Sequence, residues 1–278
     1  MSAVLKARAA PRAIVLRTRG LRHGSITRLA SPSDVGELIK PFVFLDLFDL
    51  SSASGPNFGW HPHSGIATLT LVQKGVIDYQ ETTGVKGTLL EGGIEWMRAG
   101  RGVWHTGSAI QNTKGFQLWI ALPAALESAP SQSHYLSADQ VPKEKPARVI
   151  LGAYGRTKSA IVSPPRINYL DVQLAAGERW TYQPPQEHDV AWLAVSDGTL
   201  RAPEPISAGE LAVFEQSNDA IVIDADRASR FILGSAAKHP HDLVLGHYSV
   251  HTSEAALAAG ESEIERIGNQ LAAAGLLR

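Results

Sequence analysis

The sequence predicts an all-β protein, a sandwich or barrel whose pattern occurs twice along the chain before a helical tail. Three observations predict it. Short segments rich in β-branched, aliphatic and aromatic residues recur from residue 13 to residue 120, and Gly75, Gly84, Gly87, Gly92 and Gly93 mark the turns between them. After a looser stretch at 131–165 the β pattern resumes. Beyond residue 252 the apolar spacing changes to that of a helix.

In order along the chain, strands are expected at 69–72, 76–79, 88–90, 94–97 and 116–120, each an apolar or alternating run bounded by turn residues. The stretch 131–165, with Val141-Pro142-Lys143-Glu144-Lys145-Pro146, reads as a connector in which 149–152 forms at most one strand. The chain thus divides into residues 1–130 and 131–278. In the second part, Val190 to Val195 followed by Gly198 resembles Thr68 to Val72 followed by Gly75, and Ala208 to Phe214 resembles Gly92 to Met97, which suggests duplication. His188 then falls near the second copy of the 61–63 region, and the neighbourhood of Ser217 matches that of His105 without containing a histidine. Thr252 or Ser253 caps the tail helix, Gly260 is expected to interrupt it, and Ile264, Ile267 and Leu271 follow at spacings of 3 and 4.

Composition excludes several classes of function. With 26 basic and 27 acidic residues and no long charged block, direct nucleic-acid binding is not expected. No apolar run is long enough for a membrane span and residues 1–12 lack a secretory core, so the expectation is a cytoplasmic protein. The absence of cysteine rules out disulfides, thiolate nucleophiles and thiolate metal sites, leaving His, Asp and Glu as donors. No phosphate-cradling glycine loop or nucleophile elbow is present.

Among ten histidines, His61, His63 and His105 stand out. Proline after His61 favours extended backbone, which projects His61 and His63 to one side. If the fold brings Gly100–His105 beside them, three neutral imidazoles form a facial site suited to zinc, copper, iron or nickel. A second His-x-His, at His239 and His241, has no third donor and reads as a structural loop. Trp60, Trp96 and Trp104 are candidates for an aromatic pocket, although packing is the commoner role for such residues. Arg98 and Arg101 read as solvated turn residues.

Several segments together resemble the pirin family: Pro41 to Asp46, Gly59-Trp60-His61-Pro62-His63-Ser64-Gly65, Glu95 to His105, Gln117 to Pro123 and His247-Tyr248-Ser249-Val250-His251-Thr252. The resemblance implies two stacked cupin barrels, jelly-roll-like, with a metal, commonly iron as Fe(II), in the first. It also implies either opening of flavonols such as quercetin with dioxygen or a non-enzymatic role as a regulatory, protein-binding module. Its metal set, His-x-His then His-x-Glu, carries over to His61, His63 and His105, but the glutamate position is Gly107. Zinc, nickel, copper, manganese or an empty site remain alternatives to iron. Three neutral donors leave the full charge of a divalent ion and more open positions for a planar aromatic substrate and dioxygen. They also remove the nearest proton acceptor, for which Glu95 is a weak substitute, since a charged strand residue usually faces solvent. Ser108 and Gln111 are weak candidates to hold a metal-bound water.

Overall fold

The computed structural model describes residues 11–50, 57–109 and 112–277. Its strands form two stacked barrels of the same topology. Each barrel has one seven-stranded and one four-stranded antiparallel sheet, and the two seven-stranded sheets pack face to face. In the first, the strands run in the spatial order Gln132–Leu136, Ile94–Arg98, Ile66–Lys74, Lys114–Ala121, Phe42–Asp49, Ile26–Ala30 and Leu21–His23. The second repeats that order as Ile14–Thr18, Leu211–Phe214, Val190–Asp197, Ser229–Ala236, Ile167–Leu174, Ala147–Leu151 and Lys143–Glu144. The strand Val190–Asp197 therefore occupies the place of Ile66–Lys74, and Leu211–Phe214 that of Ile94–Arg98, as the duplication predicts.

Burial on both faces explains why these strands read as nearly continuous apolar runs. Side chains alternate across a strand, so Ala67, Leu69, Leu71, Ile94 and Trp96 point between the barrels, where they meet Val190, Trp192, Ala194, Leu211 and Val213 in one core cluster. Their neighbours point into the barrels. Ala191, Leu193, Val195, Trp180, Tyr182, Ile221 and Ile223 fill the second barrel with apolar atoms. Polar ties flank the shared core. Asp171, 1% exposed, accepts from Arg148 at 3.1 Å and from Arg230 at 2.8 Å. Arg230 also donates to Gln73 O across the barrels at 3.0 Å.

The structure corrects three expectations. The stretch 131–165 is not a plain connector: Gln132–Leu136 completes the first large sheet, and Ala147–Leu151 joins the second. The second-barrel counterparts of the histidine strands are Arg179–Tyr182 and Ile221–Ala225, not the segments around His188 and Ser217. The tail helix, Glu254–Ala273, is capped by the Ser253 side chain accepting from Ala256 N and runs unbroken through Gly260. Gly260 is a point of close approach, since a Cβ there would lie 2.6 Å from both His251 Nε2 and Ser64 Oγ. Gly260, Ile264, Gly268 and Leu271 form the buried stripe of this helix. It packs on the first barrel, where Trp104 Nε1 donates to Ile264 O at 2.6 Å.

Candidate metal centre

Strand register brings the three histidines together. Asn57–His63 and Val103–Ala109 pair antiparallel with His105 opposite His61 and Val103 opposite His63, so all three imidazoles share one face. A register shift between His105 and Gly107 sets Gly107 opposite Phe58. Near this irregularity His61 Nδ1 turns back to donate to Gly59 O at 2.8 Å. His63 Nδ1 donates to Tyr248 O at 3.1 Å. His105 Nδ1 faces Glu95 Oε1 at 3.7 Å, and its Nε2 is buried with no hydrogen-bond partner.

Each imidazole therefore has Nδ1 directed to an oxygen, which leaves Nε2 for another role. One donor atom from each ring falls within a set spanning 4.8 Å, so the three could hold a metal ion. Burial and repulsion from His105 lower the His61 pKa to about 4 and push that of His63 well below the ordinary value. Both are neutral at pH 7, the form that ligates a metal. An orphaned buried nitrogen beside two neutral imidazoles fits a late divalent transition metal better than calcium or magnesium.

The imidazoles open into a cavity of about 480 Å³. Opposite them a polar row crosses the large sheet by direct cross-strand pairing, from Tyr135 to Glu95, Thr70, Gln117, Asp46 and Arg28. Thr70 Oγ1 donates to Glu95 and lies 2.7 Å from Gln117 Oε1, while Arg28 pairs with Asp46. Burial raises the Asp46 pKa, opposed by Arg28. For Glu95 burial acts the same way but is outweighed by His105, Thr70 and Tyr135, which leave its carboxyl below the usual range. Aromatic rings supply the rest of the wall. Phe44 and Trp119 stack with centroids 4.1 Å apart, Trp119 meets His63 edge-on at 4.8 Å, and Tyr79, Phe58 and Tyr248 line the remainder.

Several sequence candidates lie elsewhere. Glu95, a weak candidate because a charged strand residue usually faces solvent, is 6% exposed and does line the cavity, because position 95 points into the barrel while Ile94 and Trp96 point between barrels. Ser108 is exposed and absent from the cavity wall; Gln111 lies outside the described residues. Gly107 lines the cavity, and a Cβ there would meet nothing nearer than 3.8 Å. Trp60 lines an outer groove beside the tail helix, Trp96 packs between the barrels and Trp104 braces that helix. Arg98 donates to Pro130 O at 3.2 Å and Arg101 is exposed. His188 is 4% exposed and bonds Ser235 Oγ at 2.8 Å within the second barrel. His239 and His241 sit in a loop tied to Lys40, which donates to His241 O at 2.9 Å.

Sequence reasoning gave the tail segment 247–252 no role beyond its part in the resemblance and Thr252 as one of two candidate helix caps. A buried cluster holds that segment. Glu127 accepts from His251 Nδ1 at 3.2 Å and from Thr252 N at 2.8 Å, and Ser64, next to His63, donates to Ser249 Oγ at 2.8 Å. The separations, 185 residues for Ser64 and Ser249, hide such contacts from any local pattern.

A duplicated cupin barrel with converging imidazoles in one copy and an apolar filling in the other defines a bicupin with a single candidate metal centre among the described residues. Residues 25–120 match the family profile described as Pirin. A pirin-like protein of Caulobacter vibrioides is 32% identical over 221 residues, 75% of this chain and 79% of that protein. The chain belongs to the pirin family. Among solved structures, a quercetin 2,3-dioxygenase from Acinetobacter baumannii matches with a TM-score of 0.83 at 21% identity, over 92% of this chain and 98% of that one. A bacterial pirin from Escherichia coli in complex with nickel(II) matches with a TM-score of 0.63 at 20% identity, over 82% and 96% of the two chains. At these identities the likeness is one of fold.

Proposed function

We propose that this protein is a metal-dependent dioxygenase of the quercetin 2,3-dioxygenase type, with His61, His63 and His105 as metal ligands and a planar aromatic hydroxy-ketone as substrate. The observation that carries the reading is the convergence of three imidazoles, one with an orphaned buried Nε2, on an aromatic-walled cavity of about 480 Å³. That volume is within the range of small-molecule sites. When bound, a divalent metal supplies Lewis acidity toward the substrate's adjacent oxygens and redox contact with dioxygen. The chain's own groups do the positioning. Gly59 O and Tyr248 O fix two of the rings, and the Phe44–Trp119 stack offers a flat apolar wall beside His63. Gly107 leaves room for the substrate next to His105. Iron(II) is the metal assigned first; the nickel in the Escherichia coli structure belongs to that protein.

Elemental analysis of the purified protein beside His61→Ala and His105→Ala tests the site. A near-stoichiometric transition metal lost in both variants is expected. Anaerobic loading with ferrous iron, then quercetin and dioxygen, should give oxygen uptake and carbon monoxide release that His105→Ala abolishes. Metal without turnover would favour a non-enzymatic, partner-binding role, and no metal after reconstitution would overturn the site.

A further inference from the structure

We propose that Glu95 is a positioning residue of the metal centre, supplying through His105 the negative charge that position 107 does not provide. The inference rests on His61, His63 and His105 holding a metal. Of the three imidazoles, two direct Nδ1 to backbone carbonyls, and only His105 directs it to a side-chain carboxylate, Glu95 Oε1 at 3.7 Å. A small tilt of the ring closes this distance to a hydrogen bond. With Nδ1 turned to Glu95, Nε2 of His105, buried and unpartnered, is the nitrogen left for the metal. A carboxylate on the opposite nitrogen of a ligating imidazole fixes its tautomer and raises its basicity.

The carboxylate is itself held in place. Thr70 donates to Oε2, and Tyr135 OH, which is 2.9 Å from Glu81 Oε1, lies 3.3 Å from Glu95 Oε1. Both partners stand directly across from position 95 on the neighbouring strands, so register sets the three groups on one face of the sheet. The other cavity carboxylate, Asp46, is engaged by Arg28. Glu95 is thus the carboxylate oriented toward the ligand set, while the space beside Gly107 remains open to substrate.

The test uses cobalt(II), whose absorption reports coordination and whose dissociation constant is read by chelator competition. Glu95→Gln keeps the shape and one acceptor oxygen but removes the charge. It should weaken cobalt(II) binding by about 10- to 100-fold and alter the spectrum while the metal-free protein melts as the wild type does. Adding Gly107→Glu to that variant should restore affinity, because it returns a carboxylate to the centre. If Glu95→Gln does not fold, Glu95→Asp, which withdraws the carboxylate by one methylene, should weaken binding less than tenfold and shift the spectrum. Wild-type affinity and spectrum in the folded variant would overturn the inference and leave the metal site standing. Failure of the unsubstituted protein to take up cobalt(II) would overturn the metal site itself, and this inference with it.

Discussion

A Cβ at position 107 would make only ordinary contacts, with Asp78 O and Ile77 at 3.8 Å, so the backbone there accepts a side chain. Gly107→Glu alone should fold normally and bind cobalt(II) about tenfold more tightly, equivalent to ~1.4 kcal/mol, as read by chelator competition. It should also slow quercetin turnover by occupying the space next to His105. A second residue-level outcome concerns His188, whose pKa burial lowers to about 4 against an unfolded value of about 6.5. Between those values the unfolded chain binds more protons than the folded one. Stability is therefore greatest above pH 6.5 and falls as pH drops toward 4. His188→Gln should flatten that decline in urea titrations run from pH 7 to pH 4. At this scale the sequence disclosed the three histidines, because a His-Pro-His tripeptide is visible without a fold. It offered Glu95 only as a weak candidate, since nothing local tells which face of Ile94–Arg98 turns toward the other barrel and which toward the cavity.

At the scale of elements, the tail helix depends on two glycines that a propensity scale alone would count against it. Alanine at 260 would favour an isolated helix by ~1 kcal/mol, but here its methyl would collide with His251 and Ser64 at 2.6 Å. Overpacking of this kind costs about 1–3 kcal/mol, so the collision outweighs the propensity. Gly260→Ala should lower the urea midpoint and speed proteolysis within Glu254–Ala273. The helix also braces the strand that carries His105, through Trp104. Trp104→Phe should lower metal affinity slightly while leaving the ligands intact, a change chelator competition can detect. The elements themselves were largely legible: the strands at 69–72, 76–79, 88–90, 94–97 and 116–120 all lie within observed ones, and of the two caps the sequence offers, Thr252 and Ser253, the helix uses Ser253. Within 131–165 the strand Ala147–Leu151 was partly legible at 149–152, whereas Gln132–Leu136 was not, because only pairing with a distant sheet makes it a strand.

At the scale of the whole molecule, duplication has produced one hollow barrel and one filled barrel on a shared core. Asp171, buried between Arg148 and Arg230 of the second barrel, also accepts from Gln73 Nε2 of the first at 3.2 Å and so links the two. Removing one member of such a cluster costs roughly 3–5 kcal/mol, so Asp171→Ala should shift the guanidinium midpoint of both barrels together. The repeat was visible in the sequence as two similar runs, yet the local alignment placed the second histidine strand at His188 instead of Arg179–Tyr182, since loop lengths differ between the copies. One strand crosses between the copies: Ile14–Thr18 pairs with Leu211–Phe214 at the edge of the second large sheet, Thr18 opposite Leu211. During translation at ~5–20 residues per second, roughly 10 to 40 s separate the synthesis of those two segments. Throughout that interval the early segment has no strand to pair with, and the edge it will cover does not yet exist. The second barrel is therefore sealed by a piece of chain made before any of the rest of it, and its closure must wait for the ribosome to pass Ser229–Ala236, the strand at the middle of its large sheet.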